Sequence, residues 1–217
     1  MKNKLNLPEL ESKKVFAYFE ELAAIPHGSR NTRQISDYLI SFAKEHGFDY
    51  VQDEMNNVII YKSATPGYEN APTVILQGHM DMVCEKRPDV QHDFEKDGLN
   101  LSVKDGYVTA NGTTLGGDDG IAVAYALALL DSTDLPHPAL EVLITVDEEI
   151  GLLGAVGLDC SVLKGKRMIN MDSEAEGSLW ISCAGGLSAV SHIPVARVDA
   201  EGEKLQIKVC GLMGGHS

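Results

Sequence analysis

The chain has 217 residues, a hydrophobic content of 44% and a formal net charge of −14, from 32 acidic and 18 basic residues. This length and apolar content suit one domain with a sizeable core, or one domain and part of a second. The acidic balance argues against a nucleic-acid partner, because phosphate binding needs a basic surface. No apolar run approaches the length of a membrane span, and no apolar leader opens the sequence, so we expect no membrane partner.

The four cysteines lie far apart and form no CxxC pair, which is typical of reduced thiols in a cytoplasmic protein. Two amphipathic helices are predicted first. The first has its apolar residues at helical spacing, at Val15, Phe16, Phe19, Leu22 and Ala23. Residues 25–29 break this helix, and Asn31 is predicted to cap a second helix that Gly47 ends. Both helices are expected to cover a sheet.

Buried strands are predicted to alternate with helices along the rest of the chain. Apolar runs predict strands at residues 48–51, 58–61, 73–79, 140–146, 167–171 and 179–182. The stretch 104–107 reads Lys-Asp-Gly-Tyr and predicts a two-residue hairpin, and the Ala-rich run 121–130 predicts a buried helix. This order is typical of an α/β domain with a largely parallel mixed sheet flanked by helices.

The pattern changes after residue 184. Residues 188–195 and 204–210 alternate polar and apolar side chains, as strands of a sheet with one wet face do. We therefore expect a first domain at residues 1–184 and the beginning of a second, α+β domain at residues 185–217. Because the sequence stops soon after this second domain begins, we expect a fragment of a longer protein.

The apolar run that begins at Thr73 leads through a glycine to His79 and Asp81. Side chains alternate along a strand, so these two residues are predicted to point the same way. The carboxyl ends of buried strands are where open α/β sheets place their functional groups. The simpler alternative is a core histidine with a local carboxylate partner.

Acidic residues follow three more predicted elements. Asp118 and Asp119 stand after two glycines at the start of the Ala-rich helix, an acidic run ending in Glu148 and Glu149 closes one apolar strand, and Asp172 closes another. Taken singly, these residues have ordinary explanations as a helix cap or a charged loop. Four such elements in one chain are hard to explain as independent loops.

One imidazole together with several carboxylates is a ligand set that suits zinc, manganese or cobalt. A carboxylate that bridges two ions about 3.5–4 Å apart would make a two-metal hydrolytic centre. An acid beside it that binds no ion could serve as the general base. The residues therefore favour a metal-dependent hydrolase.

Five segments resemble one known family, the co-catalytic di-zinc metallopeptidases that include carnosinase, peptidase T and acetylornithine deacetylase. They read VILQGHMDMVCEK at 74–86, TTLGGDDG at 113–120, TVDEE at 145–149, NMDSE at 170–174 and GGHS at 214–217. Many relatives have Gly-Ala-Asp-Asp where this sequence has Gly-Gly-Asp-Asp, a minor departure. The resemblance implies a zinc-peptidase-like catalytic domain followed by a lid domain.

The resemblance also implies roles for single residues. His79 and Asp172 would hold one ion, Asp118 would bridge both ions with a cis peptide to Asp119, and Glu149 would bind the second ion. Two residues beside these ligands would have other roles. Glu148 would be the general base, and Asp81 would orient His79. His216 matches a lid histidine that helps bind the substrate in relatives, often across a dimer.

The implied activity is hydrolysis of dipeptides, and the sequence of residues 74–86 favours Xaa-His (carnosine-like) dipeptides. The implied cofactors are two divalent ions, zinc first and cobalt or manganese otherwise, and the full-length enzyme is expected to be a homodimer. The second ion would need a further histidine beyond residue 217. Two alternatives stay open: a related N-acyl amino acid deacylase, and a catalytically incomplete fragment that binds metal.

Overall fold

The computed structural model describes residues 12–173, 175, 177–183, 185, 189–196, 198–199 and 201–208. The chain divides into two compact units, with the boundary between residues 176 and 177. Among the described residues, all helices and strands lie in the first unit, including a short 3-10 helix (Cys160–Val162) between the last α-helix and the last strand. In chain order they are α1 (Lys13–Ala23), α2 (Arg33–Glu45), β1 (Asp49–Gln52), β2 (Val58–Lys62), β3 (Val74–His79), β4 (Leu101–Lys104), β5 (Tyr107–Ala110), α3 (Gly117–Leu130), β6 (Leu140–Thr145), α4 (Leu153–Gly157) and β7 (Arg167–Asn170).

Five strands form one mixed sheet in the order β1-β2-β6-β3-β7. Strand β3 runs parallel to both of its neighbours, β6 and β7, whereas β2 runs antiparallel to β6 and to β1. The mixed α/β sheet is therefore confirmed, and its parallel part is limited to β6, β3 and β7. Because these three strands run the same way, the residues that follow them meet at one edge of the sheet.

The two faces of this sheet pack against different elements. On one face, alternate residues such as Ile60, Leu76 and Val142 join a core that includes the apolar sides of α1, α2 and α3. On the other face, Ile59, Ile75 and Leu143 pack against Leu158, Val162 and Leu163, which follow α4. The prediction that the first two helices cover a sheet is confirmed for α2, which lies against β1 and β2, whereas α1 packs against α3, and α3 lies against β3.

A separate hairpin, β4 and β5, turns at Asp105 and Gly106, whose φ angles are +53° and +82°. Both values lie in the left-handed region that a two-residue hairpin turn requires, so this prediction is confirmed. The cap predicted for α2 is wrong. Thr32 occupies the N-cap position, and the Asn31 side chain donates instead to the carbonyls of Phe94 and Glu95.

The strand predicted at residues 179–182 is absent, since these residues carry no strand pairing. The described parts of the two later predicted strands, 189–195 and 204–208, carry none either; Ser188, Val209 and Cys210 lie outside the described residues. A strand needs a hydrogen-bonded neighbour, which alternation alone does not supply. The domain boundary at residues 184/185 stays a prediction.

Two further properties concern the described part of the chain. No helix there is long and apolar enough to cross a membrane. Three of the cysteines, Cys84, Cys160 and Cys183, are free and exposed to solvent.

Candidate metal centre

Strand β3 ends in a fully buried histidine. His79 has 0% exposed surface, and its Nδ1 lies 3.0 Å from the backbone oxygen of Asp81 and 3.4 Å from that residue's Oδ1. Two acceptors at Nδ1 mean that this nitrogen donates, which leaves Nε2 as the atom that faces the other acids. The predicted pairing of His79 with Asp81 is confirmed, and it fixes the orientation of the ring.

The start of α3 brings two aspartates to this histidine. Gly116 precedes them with φ +66°, and the peptide bond between Asp118 and Asp119 is cis, as the resemblance implied. Asp118 Oδ1 lies 3.0 Å from His79 Nε2. Asp119 is buried, and its Oδ2 accepts the backbone N–H of His79 at 3.1 Å. A side chain at Gly78 would lie 2.5 Å from that same oxygen, so only glycine permits this approach.

The acidic run after β6 is held in place from two sides. Asp81 accepts the backbone N–H of Glu148 at 3.0 Å and that of Glu149 at 3.4 Å. On the other side, the buried amide of Asn57 accepts the N–H of Val146 and donates to the carbonyl of Gly154. The loop therefore presents its two glutamate side chains from a fixed backbone.

Asp172 follows β7, the outer neighbour of β3. The N–H of Met171 donates to the carbonyl of Gln77 at 2.9 Å, which continues the alignment of the two strands beyond the last pair. As a result, Asp172 Oδ2 lies 3.8 Å from His79 Nε2. Glu148 Oε2 lies at a similar distance, 3.9 Å, from the same nitrogen.

Among the residues that the structure describes, two groups of three side chains could each hold a metal ion: His79 with Asp118 and Asp172, and His79 with Glu148 and Glu149. Within each group the ligand atoms lie within 4.8 Å of one another. One imidazole nitrogen and carboxylate oxygens at this spacing fit zinc and related divalent ions. We call these five residues the candidate metal centre.

The candidate metal centre carries more negative charge than its one histidine can balance. Burial opposes protonation of His79, but the hydrogen bond with Asp81 and the charges of Asp119, Asp81 and Asp172 raise its pKa to about 10. Burial raises the pKa of Asp119 to about 7, against the opposing charge of His79. The pKa values of Glu148 and Glu149 are also raised, first by burial. A divalent cation would relieve this repulsion.

Asp81 differs from these acids, because hydrogen-bond donors compensate its negative charge. Burial alone would raise its pKa, but His79, the N–H of Glu148 and the hydroxyl of Ser29 together hold it below the usual range. Ser29 Oγ donates to Asp81 Oδ2 at 2.8 Å. Asp81 therefore stays ionised although its exposed surface is only 1%.

The structure brings together the candidate metal centre and Asp81, all of which were predicted from the sequence. His216 lies outside the described residues. Sequence reasoning missed Ser29 and Asn57, since each contacts the site from a distant segment with no local pattern to mark it. The one available signal was the unexplained break between the first two helices, where Ser29 stands.

Comparison with known proteins finds one matching family. Residues 75–179 match the sequence profile of Peptidase family M20/M25/M40. This stretch of the chain is therefore similar to an M20 domain. M20 peptidases are metal-dependent, which agrees with the ligand groups at the edge of the sheet.

Individual relatives extend over more of the chain. It is 41% identical to the cytosol non-specific dipeptidase of Escherichia coli over 97% of this chain and 44% of that protein. Among solved structures, the aminoacylhistidine dipeptidase of Vibrio alginolyticus matches with 44% identity and a TM-score of 0.76, over 78% of this chain and 34% of that one. A tripeptidase from Staphylococcus aureus matches with 27% identity and a TM-score of 0.63, over 75% and 43%. The chain thus spans less than half the length of each of these relatives.

Proposed function

We propose that this chain provides the metal-binding part of a dipeptidase that hydrolyses Xaa-His dipeptides. The observation that carries the proposal is the position of His79 Nε2, which lies within 4 Å of carboxylate oxygens from Asp118, Glu148 and Asp172. Three separate segments of the chain supply these acids to one buried imidazole. A purely structural histidine would need one partner, not three.

In this proposal two divalent ions, zinc first, share the candidate metal centre. His79 and Asp172 would hold one ion, Glu149 would hold the other, and Asp118 would serve both. Two observations support this double role of Asp118. It belongs to the ligand group of the first ion, and its charge contributes to the raised pKa of Glu149, as expected of two carboxylates that lie near each other. A further ligand for the second ion is expected beyond residue 217.

Bound ions would polarise the scissile carbonyl and lower the pKa of the attacking water. Glu148 accepts the proton of that water and returns it to the leaving amine. Its pKa is raised by burial, which makes it a better proton acceptor near neutral pH than an exposed glutamate. Asp81 holds the imidazole of His79 and the backbone of Glu148 in one arrangement. His216 is proposed to help bind the substrate carbonyl and the oxyanion formed from it.

The substrate class is supported by the names of the relatives. One is a non-specific dipeptidase and the other an aminoacylhistidine dipeptidase, and both names share the dipeptide. The name of the Vibrio protein describes a dipeptide whose second residue is histidine, which is why Xaa-His dipeptides are proposed here. A cytoplasmic location is proposed from the cytosolic relative, and a homodimer of the full-length enzyme stays a prediction.

The test combines metal content with a substrate panel. Purified protein is analysed for zinc, then assayed with Xaa-His dipeptides, other dipeptides and N-acetyl amino acids, before and after chelation. In the full-length enzyme we expect dipeptide hydrolysis that chelation abolishes and zinc restores, with Xaa-His dipeptides cleaved fastest. Faster hydrolysis of N-acetyl amino acids would identify a deacylase instead. Bound zinc without turnover of any substrate would identify a metal-binding fragment.

A further inference from the structure

A short loop between α1 and α2 runs beside the end of β3 although it is far from it in sequence. Gly28 forms a parallel bridge with Met82, the N–H of Met82 donates to the carbonyl of His27, and the N–H of Ser29 donates to the carbonyl of Met82. These backbone contacts hold the loop against residues 80–82. They place Ser29 next to the carboxylate of Asp81.

The carboxylate of Asp81 is the point where several parts of the site meet. Its Oδ1 faces His79 Nδ1 at 3.4 Å and accepts the N–H of Glu148 at 3.0 Å. Its Oδ2 accepts the Ser29 hydroxyl at 2.8 Å and, more weakly, the N–H of Glu149 at 3.4 Å. Ser29 thus makes the shortest of the hydrogen bonds that this carboxylate accepts from the described residues.

We propose that Ser29 is a positioning residue for the candidate metal centre, acting through Asp81 on the imidazole of His79 and on the backbone of Glu148. The inference rests on the proposed metal centre and adds to it a residue that lies outside the stretch 75–179 matched by the family profile.

The physical reason lies in the freedom that the carboxylate would otherwise have. A carboxylate buried away from water needs donors for both oxygens, and a hydrogen bond to a charged group is about twice as strong as a neutral one. Without the Ser29 hydroxyl, Oδ2 keeps only the 3.4 Å contact with Glu149. The carboxylate can then turn about its own axis, and the ring of His79 loses one of its two acceptors at Nδ1, keeping only the backbone oxygen of Asp81 at 3.0 Å. Loss of such support weakens metal binding, commonly by about 10- to 100-fold.

The role of the hydroxyl can be separated from that of the loop. The contacts that hold the loop are made by backbone atoms of residues 27, 28, 29 and 82, and none of them uses the Ser29 side chain. Removing the hydroxyl therefore leaves the loop in place. A purely structural role for Ser29 would predict lower stability with unchanged affinity for metal, whereas a positioning role predicts the reverse.

The experiment measures zinc affinity of the metal-free chain by competition with a chromophoric chelator. Ser29→Ala is expected to weaken zinc binding about 10-fold, and Ser29→Thr, which keeps the hydroxyl, should stay within about twofold of wild type. Ser41→Ala is the matched control, because the Ser41 hydroxyl donates to a helix carbonyl far from the site. Thermal unfolding of each metal-free variant is recorded alongside.

Wild-type affinity in Ser29→Ala would overturn the inference while leaving the metal centre itself intact. If Ser29→Ala also unfolds at lower temperature, Ser29→Thr decides: recovered zinc affinity supports the positioning role, and affinity as weak as in Ser29→Ala overturns it. Failure of the wild-type chain to bind zinc at all would instead overturn the proposed metal centre, so the two failures are distinguishable.

Discussion

Buried or half-buried glutamates lie at both ends of strand β6, and their carboxylates face opposite kinds of neighbour. Glu141, at the beginning of the strand, has 2% exposed surface, and its carboxylate accepts the backbone N–H groups of Lys164 and Gly165 at 2.9–3.1 Å. Glu148 and Glu149, beyond the other end, give their backbone N–H groups to Asp81 and turn their side chains toward other acids.

The comparison shows that burial alone does not make an acid functional. At Glu141, backbone N–H donors compensate the negative charge, and these hydrogen bonds link β6 to the segment before β7. At Glu148 and Glu149 the neighbours are acids and one histidine, and burial and repulsion raise both pKa values. The second arrangement is unstable unless a proton or a cation compensates it, which is the property a metal centre needs.

The largest effect that separates the two ends is expected from Glu148→Gln. In the full-length enzyme, loss of the proton acceptor should lower turnover of Xaa-His dipeptides by about 10³-fold, while the zinc content stays unchanged. Glu141→Gln is the matched comparison and should retain wild-type turnover. Steady-state kinetics and metal analysis on the same preparations provide the check, and near-normal turnover in Glu148→Gln would remove this residue from the mechanism.

A change of pH should affect only the end of β6 that carries the candidate metal centre. The pKa of His79 is raised to about 10, so near neutral pH its imidazole holds a proton that an incoming ion must displace. Zinc affinity should therefore rise with pH, by about tenfold per unit or roughly 100-fold between pH 6 and pH 8. Chelator competition across this range tests the slope. Glu141→Gln should leave it unchanged, and an affinity independent of pH would contradict the assignment of His79 as a ligand.

Glu141→Ala should destabilise the contacts at the beginning of β6. Two backbone donors, the N–H of Lys164 and the buried N–H of Gly165, would lose their acceptor, and we expect the free energy of unfolding to fall by about 2 kcal/mol. Zinc affinity should remain within about twofold of wild type. Urea unfolding of the metal-free chain measures the first quantity. A loss of zinc affinity without a loss of stability would mean that the two ends are not independent.

The smallest effect is expected from Gly78→Ala, which joins stability and metal binding. The new methyl group would lie 2.5 Å from Asp119 Oδ2 and 3.3 Å from Ala122 Cβ, so the start of α3 must move away from β3. We expect a loss of about 1 kcal/mol in the free energy of unfolding, together with weaker zinc binding because Asp118 moves too. Gly185→Ala adds the same methyl group in open space and should change neither quantity.

Local patterns were sufficient for the parts of the fold that depend on neighbouring residues. The run of apolar residues before His79 predicted β3, and Asp105-Gly106 predicted the turn of the hairpin because both residues tolerate positive φ. The acids at the ends of predicted strands indicated where the site lies. Parallel strands place their carboxyl ends together, so their meeting at one edge follows from topology.

Contacts between distant segments could not be predicted in the same way. Ser29 reaches the site through one hydrogen bond and Asn57 through two, all with partners far away in sequence, and neither residue belongs to a repeating pattern. The direction of β1 and β2 was also beyond reach, because a buried apolar run reads the same in a parallel and an antiparallel pair. Residues 179–182 show the converse error, in which apolar character alone was taken for a strand.

The place of β3 between β6 and β7 has a consequence for how the protein is made. Both neighbours of β3 come after it in the chain, and β7 pairs with it last in sequence order. A growing chain therefore exposes an unpaired β3 edge, and its apolar side chains, until residue 170 has left the ribosome. Asp172 follows two residues later, so the ligand set proposed for the first ion becomes complete as this edge closes.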